Sequence, residues 1–206
     1  MTSFTSTPRV TRILRRTVLG GVAAMMLLGA AAGPASADAT NKVATAAAPT
    51  VKQLLPRGVP GGQQAFTPSA AQMSNAKAIV QAGQDMKLSP RAQVMAVACS
   101  LQESKLLNLG NLGNRNDHDS LGLFQQRPSA GWGTPAQLTN PDYAAKAFYK
   151  ALKSVSHLES RPLTEAVQKV QVSAFPYAYA KWEKMASDLV LATYGAGPYA
   201  SIAHTR

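Results

Sequence analysis

From Ser89 to Lys105 the chain reads Ser-Pro-Arg-Ala-Gln-Val-Met-Ala-Val-Ala-Cys-Ser-Leu-Gln-Glu-Ser-Lys, and no other run constrains the fold as strongly. Ser89 is a good N-cap, because its hydroxyl accepts from a backbone N–H that the first helical turn leaves unpaired. Pro90 suits the first helical position, where a missing N–H costs nothing. Placed at 100° per residue, Val94, Met95, Ala96, Val97, Ala98, Cys99 and Leu101 point in nearly every direction. A helix with no continuous polar face has to be covered on most sides, so the other elements are expected to surround it.

Those elements read as further helices. Ser69 is an N-cap for a helix over 69–87, whose stripe of Met73, Ala76, Val80 and Gly83 follows spacings of three and four. Asn140 and Pro141 open another over 140–155, and periodic patterns over 162–172 and 176–194 predict two more, the last stopped by Gly195. Between 107 and 119 the density of Asn, Gly and Asp predicts tight turns and a short hairpin. The fold class expected is mainly α, a domain over 69–206 with a buried central helix and at most a small β-hairpin. Cys99 is the only cysteine, so no disulfide can form within the chain and the core has to supply the stability.

The N-terminal region reads differently. Arg9, Arg12, Arg15 and Arg16 precede an uncharged run that ends in Gly33-Pro34 and the small-residue sequence Ala35-Ser36-Ala37. That charge order predicts an export signal over 1–37, of the Sec or twin-arginine type. A flexible tether is expected over 38–68, which is rich in Ala, Thr, Pro and Gly, with local packing of Leu54, Leu55, Val59 and Phe66 on the domain as the alternative. Loss of residues 1–37, with four arginines and no acidic residue, lowers the formal net charge from +11 to +7. So basic a mature chain favours an anionic partner such as a wall polymer. Its Lys and Arg residues are spread thinly and form no nucleic-acid-binding module, which argues against nucleic acid. No stable membrane span is expected after signal cleavage, and the mature protein is expected to be monomeric.

The residue best suited to chemistry is Glu103. In the last turn of its helix a carboxylate faces the negative end of the macrodipole, and its wheel neighbours Cys99, Ala96 and Met95 are apolar. Both effects disfavour the ionised form, which is what an acid that protonates a leaving oxygen requires. Gln102-Glu103-Ser104 is followed by the Asn/Gly/Asp turns and then by Gly122-Leu123-Phe124-Gln125. That order resembles the lysozyme-like superfamily of lysozymes and soluble lytic transglycosylases, in which a helix ends at a catalytic Glu and a Gly-apolar-apolar-Gln segment follows a short hairpin. Through Trp132 the segment is closest in character to secreted actinobacterial lysozyme-like proteins. The resemblance implies that Glu103 is the general acid, that Gln125 lines the floor of a sugar cleft and that Gly122 permits close approach of backbone or sugar. Trp132, between Gly131 and Gly133, is placed to stack on a sugar.

The second carboxylate departs from the pattern. Animal lysozymes place an Asp just before the Gly-apolar-apolar-Gln segment, whereas Asp119 stands one residue further away, with Asp117 beside it. A retaining hydrolase needs its carboxyls ~5 Å apart and an inverting one ~6.5–9.5 Å. Asp119 is therefore the candidate second acid; without it, a lytic mechanism using Glu103 alone remains open. No metal or cofactor is expected, since His118 between two aspartates matches no ligand spacing. The expected activity is cleavage of peptidoglycan by a secreted or wall-associated glycosidase or lytic transglycosylase. The alternative is a non-catalytic lysozyme-like module that binds wall glycan or an envelope protein.

Overall fold

A computed structural model describes residues 47–113, 116 and 118–203. The export signal expected over 1–37, the first part of the tether, Asp117 and His204 lie outside the described residues. The α-helices are α1 Val51–Leu54, α2 Ala70–Asp85, α3 Pro90–Ser104, α4 Pro135–Leu138, α5 Pro141–Leu152, α6 Leu163–Gln171, α7 Glu183–Thr193 and α8 Ala200–Ala203. The fold is mainly helical, and its β structure among these residues consists of two isolated antiparallel bridges, Leu109 with Gly122 and Leu121 with Gln126.

Helix α3 is the centre. Val94 to Cys99 and Leu101 are wholly buried, as the all-round apolar pattern requires. The Ser89 hydroxyl accepts from the Ala92 N–H at 3.1 Å, so the helix begins where its cap predicts. It ends without a glycine: Lys105 and Leu106 both take left-handed φ, 57° and 61°. Their N–H groups bond back to Leu101 and Ser100 at 3.2 Å each, which satisfies carbonyls that the last turn would leave open. Helices α1, α2, α5, α6 and α7 pack against α3, and α2 also packs on α5. Met73, Ile79, Phe148, Leu189 and Val190 are among the side chains that close this core. Each large one contributes on the order of 1.5–3 kcal/mol by leaving water.

Two expectations are corrected here. The tether predicted through 68 is, from residue 47 onward, laid on the helices. Leu54 and Leu55 are buried in the core, and the Phe66 ring meets Trp182 edge-on at 6.1 Å. Gln63 donates to the Ala180 carbonyl at 2.9 Å and accepts from the Lys184 N–H at 2.8 Å, and the Gln64 N–H donates to the Lys181 carbonyl at 2.8 Å. A few well-spaced apolar side chains suffice to hold a polar segment when the surface beneath needs covering. The second correction concerns 176–194. Helix α7 begins only at Glu183, preceded by a 3-10 turn Ala180–Trp182. Thr164 Oγ1 holds the Pro176 carbonyl at 2.6 Å, and Tyr179 turns inward and is wholly buried, so the chain ahead of α7 is shaped by tertiary contacts.

A buried ion pair fastens the start of α3 to the start of α7. Arg91 Nη1 donates to Glu183 Oε1 at 2.6 Å and to the Leu54 carbonyl of α1 at 3.0 Å, with Arg91 only 1 % exposed. Its Nε and Nη2 meet no acceptor among the described residues. Removing one partner strands a buried charge, whereas replacing both with apolar groups does not. Glu183→Ala is therefore expected to lower unfolding free energy by about 3–5 kcal/mol. The double variant Arg91→Met/Glu183→Leu should lose far less, with urea denaturation of the three proteins as the measurement.

Candidate active site

Two adjacent residues at the C-terminus of α3 divide the work. Ser104 is buried, and its hydroxyl donates to the Leu123 carbonyl at 2.8 Å, alongside a 3.2 Å contact to the Ser100 carbonyl of its own helix. It thus ties the helix end to the turn at 121–126. That turn is closed by reciprocal bonds between Leu121 and Gln126, 2.9 and 3.1 Å. Glu103, one step back on the wheel, is half-buried and lines a cleft of about 700 Å³. Gln102, Gln125, Arg127, Trp132, Gln171 and Phe175 share that lining. The structure therefore brings together three of the expected residues, Glu103, Gln125 and Trp132.

Tyr179 donates to Glu103 Oε1 at 2.8 Å, a contact spanning 76 residues that the sequence does not announce. Burial foremost, with the neighbouring Glu103 carboxylate adding to it, pushes the Tyr179 phenol far above its usual range. It stays a neutral donor and fixes the orientation of the carboxyl group. One turn before Glu103, the Cys99 thiol is likewise pushed up, by burial first and then by the Glu103 charge, with Gln171 acting in the other direction. A thiol held protonated in this way is a packing group and not a nucleophile. Gln171 Nε2 also donates to the Phe124 carbonyl at 2.9 Å, bracing the turn from α6. Val172, Phe175 and Tyr177 follow as an exposed apolar stretch, and the first two lie at the cleft.

Gln125 takes φ 49° and donates through Nε2 to the Gly122 carbonyl at 3.0 Å, which places its amide at the cleft. Trp132 is half-buried and borders a second hollow as well, shared with Tyr143, Lys146 and Lys150. Tyr143 reaches the Trp132 carbonyl at 3.5 Å, a long bond that helps set the loop. No group of three His, Cys, Asp or Glu among the described residues is placed to hold a metal ion.

Gly122 and Asp119 stand elsewhere. Gly122 does not line the cleft; it has φ 71°, and a Cβ there would overlap the Leu138 carbonyl oxygen. The close approach it permits is to the α4 backbone, not to a sugar. Gly122→Ala is expected to cost at least about 2 kcal/mol, from left-handed strain plus the displaced carbonyl, and to lower the thermal midpoint by roughly 5 °C. Asp119 borders a different hollow, with Leu121, Pro128 and Pro135. Its Oδ1 accepts from Arg127 Nε at 2.7 Å and Ser129 Oγ at 2.9 Å, and its Oδ2 from the Ser129 N–H at 2.7 Å. Both oxygens are occupied in folding the loop that carries Arg127 to the cleft.

These donors, Arg127 first and the Ser129 N–H next, hold the Asp119 carboxyl well below the usual carboxylate range. A depressed native value means that the unfolded chain takes up the proton first, so this stabilisation is present above about pH 4 and is lost as pH falls further. The thermal midpoint of the wild type is expected to fall more steeply than that of Asp119→Asn between about pH 4 and pH 2. Parallel slopes in calorimetry at matched ionic strength would contradict this role. In comparisons with known proteins, no family model matches the chain and no curated protein matches it.

Proposed function

We propose that the mature protein acts outside the cell as a peptidoglycan-cleaving enzyme, with Glu103 as the acid that protonates the glycosidic oxygen. The observation that carries this reading is the position of Glu103: half-buried in a sugar-sized cleft, held by Tyr179, with Gln125 and Trp132 in the same lining. An amide and an indole beside one oriented carboxyl group suit a polar ring with an apolar face. The order of Glu103-Ser104 and Gly122-Leu123-Phe124-Gln125, similar to that of lysozyme-like enzymes, supports the same reading. The arginine-led apolar segment within 1–37 and the basic mature chain favour export and an anionic wall polymer.

Among the described residues that line the cleft, Glu103 is the only carboxylate. This favours the lytic outcome over hydrolysis, because a single acid can serve both halves of that reaction. Glu103 gives its proton to the bridging oxygen, the C1–O bond breaks, and the leaving sugar departs with a hydroxyl group. The resulting carboxylate takes the proton from the C6 hydroxyl as that oxygen bonds to C1, which restores the acid and leaves a 1,6-anhydro end.

Mass spectrometry of purified wall digested by the mature protein is expected to find anhydro-ended fragments. Glu103→Gln should reduce their formation roughly a hundredfold to ten-thousandfold without changing the thermal midpoint by more than about 2 °C. Reducing ends in place of anhydro ends would replace the lytic step by hydrolysis. Tight binding of the wall with no released fragment from either protein would favour a binding module and end the enzymatic reading.

A further inference from the structure

Where the first residues of α3, α6 and α7 meet the segment 57–60, the fold leaves a hollow of about 290 Å³ that shares no lining residue with the Glu103 cleft. Two guanidinium groups belong to its wall, Arg57 from the segment and Arg91 from α3. Against them stands one carboxylate, Glu183, and no other acidic or basic side chain takes part in the lining. Val59, Pro60 and Pro162 make much of the remainder apolar, so charge inside the hollow is weakly screened.

Arg91 enters this wall with half of its donors idle. Nη1 makes both of its bonds, to Glu183 and to the Leu54 carbonyl, which leaves Nε and Nη2 buried without an acceptor among the described residues. Most buried side-chain donors in folded proteins have a partner, so this edge calls for one. Nε and Nη2 form the side of the planar fork that takes two oxygens of a single oxyanion. Arg57 also has donors to spare: its Nη1 makes one 3.3 Å bond to the Ser160 carbonyl, and it forms no ion pair among the described residues. The start of α6 adds a third set. Its N-cap is Pro162, no side chain caps the first turn, and Leu163 and Thr164 of that turn line the hollow. Open N–H groups and the positive end of the helix dipole favour an anion at such an end. Glu165 of the same turn pairs with Arg161 at 3.4 Å and does not line the hollow.

We infer that this hollow is a binding site for a phosphate group, either the free ion or the end of a small phosphate ester. Donors from three separate elements suit a tetrahedral anion, with oxygens on every side, better than a flat carboxylate with two. One phosphate oxygen pair takes the idle edge of Arg91, and the remaining oxygens are left for Arg57 and the first turn of α6. Two positive charges in the lining against the one of Glu183 leave the hollow net positive, as an anion site requires. The site stands apart from the glycan cleft and does not depend on the function proposed for Glu103.

The test is calorimetric titration of the mature protein, at constant ionic strength in a zwitterionic buffer, with inorganic phosphate, glycerol phosphate and acetate. Saturable binding of one equivalent of phosphate probe is expected, with acetate weaker by at least about tenfold, the worth of one charge-assisted hydrogen bond. Tighter binding of glycerol phosphate assigns the site to a phosphorylated small molecule; binding of the free ion at least as tight assigns it to inorganic phosphate. Arg57→Gln should weaken phosphate binding about tenfold while the thermal midpoint without ligand stays within about 2 °C. Arg91→Met/Glu183→Leu should abolish it, and Glu103→Gln, outside the hollow, should bind phosphate as the wild type does. The site is overturned by the absence of saturable binding of either phosphate probe, by acetate binding as tightly as phosphate, or by an Arg57→Gln protein that binds phosphate undiminished.

Discussion

The burial of α3 on all sides governs where everything else in the described chain has to be. A helix with Val94 through Cys99 and Leu101 wholly enclosed has no solvated face of its own. Helices α1, α2, α5, α6 and α7 supply the cover, and only the helix ends are left to meet polar groups. The N-terminal end is closed by Arg91, whose guanidinium reaches both Glu183 and the Leu54 carbonyl. The C-terminal end is closed by Lys105 and Leu106 turning back on it and by Ser104 reaching the Leu123 carbonyl. Glu103 projects where that cover stops, which is why a carboxyl group attached to the most buried helix still borders open space.

The neighbourhood of Glu103 is built from distant parts of the chain. Tyr179 arrives from the segment ahead of α7, Gln171 from the end of α6, and Gln125 from a turn braced by Ser104. The acid and its donor are therefore aligned only when three separate packing interfaces have formed. In the proposed reaction such an arrangement would cost little reorganisation, because the side chains are already held by bonds to backbone or to one another. Asp119 contributes to the same end indirectly, by folding the loop that brings Arg127 into the lining.

Local chemistry was legible where it is strong. Ser69, Ser89 and Asn140 each cap the helix whose start they mark, and the missing polar face of α3 was enough to place that helix at the centre. Of the candidate site, the sequence reading named Glu103, Gln125 and Trp132, which the fold brings to one cleft. What could not be read was decided at long range. Leu54 and Leu55 were legible as residues able to pack, but they sit in a polar, Pro- and Gly-rich stretch whose composition resembles a tether, and only the flank of the bundle beneath decides for burial. Tyr179 was one aromatic among many, since nothing in its neighbours records a partner 76 residues away. Gly122 and Asp119 were legible as special positions but not in their roles. A glycine needed against the Leu138 carbonyl and one needed against a sugar look the same in a sequence, as do a loop-bracing aspartate and a catalytic one.

The Arg91–Glu183 pair bears on how such a chain reaches its native state. The two residues are 92 positions apart, and the guanidinium also takes the carbonyl of a segment that precedes α2. A nascent chain ending before residue 183 has the helix at its heart but no counter-charge for Arg91 and no α7 to shield the apolar side chains beside it. A partial assembly would leave apolar surface around an unpaired cation, so folding that waits for the whole length is favoured over folding piece by piece from the N-terminus. The most deeply buried charge among the described residues thus gains its counter-charge only once residue 183 has been made.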